Sequence, residues 1–234
     1  MAVGTGCLYE NPKLRAMGGG LIRPGGLELT QRALAASGLQ PGARLLDIGC
    51  GTGAALRYLG ERGFRAVGID PSLPLLAEGL AKNPGLSLAG AAGTMLPFCD
   101  GCLDAVLAEC SLSVMEDAKK ALKECFRVLD RGGLLLAHDV YLRNPCGADA
   151  LRGLPVKSCL TGAVSREEWL ERFTSCGFEV VLWEDRSRAL KEFAARLIFE
   201  HGPLETFWDC PAPVGSALFS AKPGYFLAMA RSTR

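Results

Sequence analysis

Two hydrophobic periods alternate along most of the chain. Short apolar runs at 45–48, 67–69 and 103–108 recur between longer stretches whose apolar residues return every three or four positions. Runs of the first kind read as strands buried on both faces, and the second kind as amphipathic helices. Leu29, Ala33, Leu34 and Leu39 predict a helix over 27–39. A strand follows over 45–48, then a helix over 54–62 closed by Gly63, then a strand ending at Asp70. Ser72 is placed to cap the next helix, with Pro74 in its first turn and Pro84-Gly85 as its stop. Short strands are predicted over 86–89 and 103–108. Ala121, Leu122, Cys125 and Leu129 fall on one face of a helix over 117–129, which Arg131-Gly132-Gly133 turns into a strand over 134–137.

The pattern weakens at 143–164, where prolines and glycines predict a loop or cap. It resumes with Ser165-Arg166-Glu167-Glu168, which fits a capping box and opens a helix through Trp169 and Phe173 to Gly177. A strand over 178–183, a helix marked by Leu190, Phe193, Ala194, Leu197 and Ile198, and a final strand over 225–230 complete the reading. Residues 1–26, rich in Gly and Pro and ending in Arg23-Pro24-Gly25-Gly26, read as a loop or short helix over the front of a sheet. Alternating strands and helices imply an α/β fold, a parallel sheet with helices on both faces.

The chemistry concentrates at Leu45-Leu46-Asp47-Ile48-Gly49-Cys50-Gly51-Thr52-Gly53. An apolar strand ends in an acid and runs straight into glycines on alternate positions, with a helix directly behind. Such a strand–turn–helix junction is where α/β sheets bind small charged ligands. The spacing is not the G-x-G-x-x-G of nicotinamide and flavin enzymes, and Asp47 is a poor neighbour for a pyrophosphate but a good one for an ammonium group. With its flanks the stretch resembles motif I of class I S-adenosylmethionine-dependent methyltransferases. Asp70, about twenty residues on, stands where ribose hydroxyls expect a carboxylate.

Further segments carry the same resemblance: Leu96-Pro97-Phe98 with Asp100 and Leu103-Asp104-Ala105-Val106, Phe126-Arg127-Val128-Leu129-Asp130-Arg131-Gly132-Gly133, and the helix ending at Gly177-Phe178. The resemblance implies a Rossmann-like three-layer sandwich whose seven strands run in the order 3-2-1-4-5-7-6, the last antiparallel, with a small cap. It implies a single domain over 1–234: an N-terminal lid and helix (1–39), a cofactor core (40–141), the cap (142–164), and C-terminal helices with the last two strands (165–234). S-adenosyl-L-methionine is the implied cofactor, with S-adenosyl-L-homocysteine as product. Asp47, Gly49, Cys50, Gly51, Gly53 and Asp70 would hold it, with Pro71 and Ser72, and Glu109 and Cys110 after the fourth strand. Gly93 and Thr94 would hold the adenine; Ala92 stands where the family often carries an acid, so that recognition would rest on backbone groups.

His138-Asp139-Val140-Tyr141 ends the fifth strand, making His138 a candidate general base with Asp139 or Tyr141 assisting. The competing reading is a satisfied polar pair at a strand edge. Cys99-Asp100-Gly101-Cys102 lacks the second pair a structural zinc site needs, so no metal is expected. The expected reaction is in-line methyl transfer to a small-molecule acceptor. The alternatives are a protein that binds the cofactor or its product without catalysis, and a thiol-dependent methyltransferase of the arsenic type.

Composition narrows the partners. With 26 basic and 25 acidic residues and a net charge of +1, the chain carries no excess of the kind that nucleic acid or an anionic membrane attracts. No signal peptide or spanning segment is evident, and 10 cysteines without a secretory signal fit a reduced, cytoplasmic setting. A monomer or a homodimer both fit the apolar helix over 190–198.

Overall fold

The computed structural model describes residues 8–11, 22–154, 157–203 and 214–234. Helix α1 (Gly26–Ser37) leads to β1 (Arg44–Ile48), α2 (Ala54–Glu61), β2 (Arg65–Asp70), α3 (Leu73–Lys82), β3 (Leu88–Gly90) and β4 (Leu103–Glu109). These are followed by α4 (Ala118–Val128), β5 (Leu129–Leu142), α5 (Ala148–Arg152), β6 (Val164–Ser165), α6 (Arg166–Ser175), β7 (Phe178–Asp185), α7 (Ser187–His201), α8 (Val214–Ala221) and β8 (Pro223–Ser232). The sheet runs β3-β2-β1-β4-β5-β8-β7, with the two-residue β6 paired to the side of β5. Without β6 this is the expected order. The pairs from β3 through β5 are parallel, and β8 is antiparallel to both of its neighbours.

The strands are apolar because both faces are covered. On one face Leu46, Ile48, Val106, Leu135 and Ala137 pack against Ala121, Leu122 and Cys125 of α4 and Trp169 and Phe173 of α6. On the other, Leu45, Leu107, Leu134 and Leu136 meet Ala33 of α1 and Leu56 and Leu59 of α2. A third cluster, built on Leu29, Cys110, Val140, Leu151, Leu154, Val214 and Tyr225, holds the cap over the carboxyl ends of the strands.

Most elements fall where the pattern placed them, and two caps behave as their chemistry requires. Asp117 accepts from Lys120 N–H, and Ser165 Oγ accepts from Glu168 N–H at 3.1 Å. Ser72 precedes α3 as expected but makes no cap bond; its hydroxyl donates instead to Glu10 at 2.7 Å. Strand β5 is far longer than 134–137. Arg131-Gly132-Gly133 is absorbed as an irregularity, with Gly132 at φ +67° and pairing that slips between Leu103↔Leu129 and Ala105↔Leu134. Its far end reaches Leu142 because β8 pairs with it there. Helices α5 and α8 lie in stretches where no helix was expected, since five residues show no period and Val214–Ala221 carries a glycine and two serines but no charged residue to mark a polar face. No described helix is long and apolar enough to cross a membrane.

Candidate active site

The glycines after β1 do what their order implied. Gly49, Gly51 and Gly53 sit at φ +76°, +54° and +75°, a region that costs other residues strain. A Cβ on Gly49 would come within 2.6 Å of Ser111 Cβ, and one on Gly53 within 2.8 Å of Leu86. Beside Gly51 nothing lies within 4 Å of where a Cβ would stand. Backbone that is left-handed yet borders open space is the form of a ligand cradle. Asp70, at the end of β2, accepts from Gly51 N–H at 2.9 Å and Ser72 N–H at 2.8 Å, so its carboxylate is fixed at the cradle's rim. Cys50 packs beneath the turn, its thiol pushed far up by burial.

Asp47 is the unusual group. It is 3% exposed, and no hydrogen bond to its carboxyl group forms among the described residues. Burial first, then the carboxylate of Glu109, push it up to about 8, against a smaller opposing pull from Arg23. A buried, unpartnered carboxyl beside a glycine cradle is what an incoming ammonium group would complete.

Glu109, at the carboxyl end of β4, belongs to a buried cluster that sequence reasoning missed. Arg23 Nη2 lies 2.7 Å from its Oε2 and also donates to Thr30 Oγ1, which donates to Glu109 Oε1 at 2.7 Å. Arg23 stood in a Gly/Pro segment and Thr30 inside an amphipathic helix, so neither carried a signal. Ser111 Oγ, after β4, is buried without a partner.

The structure spreads His138, Asp139 and Tyr141 apart. Adjacent strand residues face opposite sides of a sheet. His138 sits under α1, with Nδ1 3.3 Å from Glu109 Oε1, and burial lowers it to about 4. Asp139 faces the other way and accepts from Ser113 N–H, Ser113 Oγ and Val140 N–H; burial raises it to about 6. Tyr141 donates to Asp185 at 2.8 Å and packs beside Trp183. Neither residue reaches the imidazole, so the expected assistance to His138 does not form.

On the adenine side, Ala91 N–H donates to the Asp70 carbonyl, which brings the 91–94 turn against the end of β2. Gly93 is buried against Met115, Thr94 is half-buried, Pro71 is exposed and Ser72 half-buried. Cys99 is exposed and Cys102 half-buried; both precede β4, at the opposite end of the strand from Glu109.

Residues 46–137, the span that builds this edge, match the methyltransferase domain family. The chain carries a class I S-adenosylmethionine-dependent methyltransferase domain. S-adenosyl-L-methionine is the cofactor of this family. The chain is 34% identical over 128 residues to a demethylmenaquinone methyltransferase of Beutenbergia cavernae, a match covering 55% of this chain and 53% of that protein. It therefore aligns with only about half the length of that relative. Among solved structures it resembles the cyclase SpnF, with 28% identity, a TM-score of 0.68, and coverage of 87% of this chain and 79% of that one. It also resembles phosphoethanolamine N-methyltransferase 2 of Haemonchus contortus in complex with S-adenosyl-L-methionine: 19% identity, a TM-score of 0.74, and coverage of 97% of this chain and 56% of that one.

Proposed function

We propose that this chain transfers a methyl group from S-adenosyl-L-methionine to a small-molecule acceptor. The observation that carries the reading is Asp47, buried with no hydrogen bond to its carboxyl group among the described residues and near both the Gly51 cradle and the fixed carboxylate of Asp70. When bound, the cofactor supplies an electrophilic methyl group on a positively charged sulfur. Asp47 would take the ammonium group of its methionine end, the Gly49–Gly53 turn would admit the chain, and Asp70 would take the ribose hydroxyls. Pro71, Ser72, Gly93 and Thr94 would hold the adenine. Glu109 and Cys110 would close the site from β4, with Arg23 and Thr30 fixing the Glu109 carboxylate.

The protein's task is then chiefly positioning, which supplies up to ~7–11 kcal/mol of a barrier. His138 is neutral at physiological pH but walled in beneath α1, and Asp139 is saturated by Ser113 and Val140. Both serve as framework, and the acceptor attacks with a lone pair it already has. The cap and Leu8–Glu10 enclose the acceptor: Leu8 N–H donates to the Lys157 carbonyl, and Glu10 reaches Ser72. The described cysteines are all free thiols, which supports a reducing, cytoplasmic setting.

The test is incubation with the cofactor and a panel of quinol, amine, thiol and phenol acceptors, scored for S-adenosyl-L-homocysteine together with a methylated product. The likeness to SpnF supports a second reading, in which the fold holds the cofactor while doing other chemistry. Tight cofactor binding with no S-adenosyl-L-homocysteine formed across the panel would favour it.

A further inference from the structure

Two stretches that stand out in the sequence have no part in the site so far described: Leu96-Pro97-Phe98 with Asp100, and the end of α4 at Phe126-Arg127. One side chain ties them together. A guanidinium has five N–H donors, and each one on Arg127 has an acceptor. Nε and Nη2 donate to the two carboxylate oxygens of Glu124, both at 2.8 Å. The remaining donors reach the Leu96 carbonyl at 3.0 Å, the Phe98 carbonyl at 2.8 Å and the Asp100 carboxylate at 2.7 Å. Glu124 Oε2 also accepts from Leu96 N–H at 2.8 Å. Both backbone groups of Leu96 are thereby held by two side chains one turn apart on α4. A bidentate fork closed on backbone is stronger and more directional than an isolated surface ion pair.

The tether acts on the turn just before it. Met95 N–H donates to the Ala92 carbonyl at 3.1 Å, which closes 92–95, and Ala91 N–H fixes the other end to the Asp70 carbonyl. The turn's own side chains give little grip: Ala91 and Ala92 are small, Gly93 has none and Met95 is 76% exposed. Ala92 offers no carboxylate to an adenine amino group, so a base held at Gly93 and Thr94 would be read by backbone groups. Hydrogen bonds weaken steeply with misalignment, so the placement of that backbone decides how well the base is read. We infer that Glu124 and Arg127 are positioning residues for base recognition: from α4 they fix the 91–94 turn and so set the site's preference for adenine over a base with the reversed hydrogen-bonding edge. With every N–H engaged, Arg127 has none left for a ligand and acts through the loop. The turn's contact with adenine rests on the methyl-transfer proposal; the tether itself does not.

The experiment is calorimetric titration of the full chain with S-adenosyl-L-homocysteine and with S-inosyl-L-homocysteine, alongside amide exchange of the unliganded chain. Hypoxanthine carries a carbonyl and an N–H where adenine carries an amino group and a bare ring nitrogen. Arg127→Lys keeps the charge but has three donors on one atom and cannot span the same acceptors. Glu124→Ala removes the acceptor of Leu96 N–H at a helical position that alanine suits. In both variants amide exchange across 91–96 should speed several-fold. Affinity for the adenosyl compound should fall about fivefold to tenfold, and that for the inosyl compound hardly at all, because Asp47 and Asp70 serve the parts the two share. Glu124→Gln, which keeps an oxygen for Leu96 N–H, should lose less than Glu124→Ala. Equal wild-type affinities for the two compounds, equal losses of both in the variants, or affinities that do not change would overturn the inference while leaving methyl transfer standing. Binding of neither compound by folded wild-type protein would overturn the methyl-transfer reading and the adenine role together.

Discussion

Replacing Asp47 with asparagine isolates the electrostatics of the cofactor site. The carboxyl group is pushed from an ordinary 3.8 to about 8, chiefly by burial and then by Glu109. Between those values the folded chain holds a proton that the unfolded chain releases, so stability falls as pH rises, by about 1.4 kcal/mol per unit. Over pH 6 to 8, allowing for partial titration near 8, the loss is about 2 kcal/mol. His138 acts in the opposite sense. Lowered to about 4, it is neutral in the folded chain while the unfolded imidazole is still partly protonated above pH 6, which adds less than about 1 kcal/mol over the same range. Asp139, raised to about 6, contributes a few tenths of the Asp47 sign. Urea unfolding of cofactor-free protein at pH 6 and 8 should show the wild type losing about 2 kcal/mol more than Asp47→Asn. Cofactor binding tests the same charge. At pH 7 an ammonium group that requires ionised Asp47 should expel close to one proton, read by calorimetry in buffers of different ionisation enthalpy. Asp47→Asn should expel almost none and bind about 10- to 100-fold more weakly. Equal pH slopes for the two proteins, with no proton release in the wild type, would mean that Asp47 is already ionised and would refute the reasoning.

Three other outcomes follow from the same geometry. Gly162→Ala should cost about 1–3 kcal/mol in chemical denaturation, because its methyl group would overlap the Ser113 carbonyl oxygen and force the cap outward. Ser165→Ala should lower stability by ~1 kcal/mol in the same assay, through loss of the bond from Glu168 N–H at the start of α6. His138→Gln should lower kcat by less than about tenfold per folded molecule, whereas loss of a general base would cost about 10²–10⁴; a drop of the larger size would return the imidazole to the chemistry.

What the sequence could reveal depended on whether a contact was local. The Asp47–Gly53 turn, Asp70 at the next strand end, the Ser165 cap and the Asp117–Val128 helix were legible because each is decided within a few residues. The strand order came from family resemblance, since apolar runs are alike on every parallel strand. The reach of β5 to Leu142 was hidden: its polar residues 138 and 139 do not look like strand interior, and they are buried only because β8, Ser113 and the α1 face cover them. Arg23 and Thr30 meet Glu109 from 86 and 79 positions away in sequence (109 − 23 and 109 − 30), and no local pattern encodes such a contact. The conspicuous Cys99 and Cys102 precede β4 and so lie at the opposite end of that strand from Glu109.

The most direct test of the account is calorimetric titration of the folded protein with S-adenosyl-L-methionine and, separately, S-adenosyl-L-homocysteine. Both ligands should bind saturably. Binding should be lost in Gly51→Val, which puts a branched side chain into the cradle at a left-handed position, and markedly weakened in Asp70→Ala, which removes the carboxylate that Gly51 and Ser72 hold in place. Binding unchanged in both variants, or no binding of either ligand by well-folded wild-type protein, would contradict it.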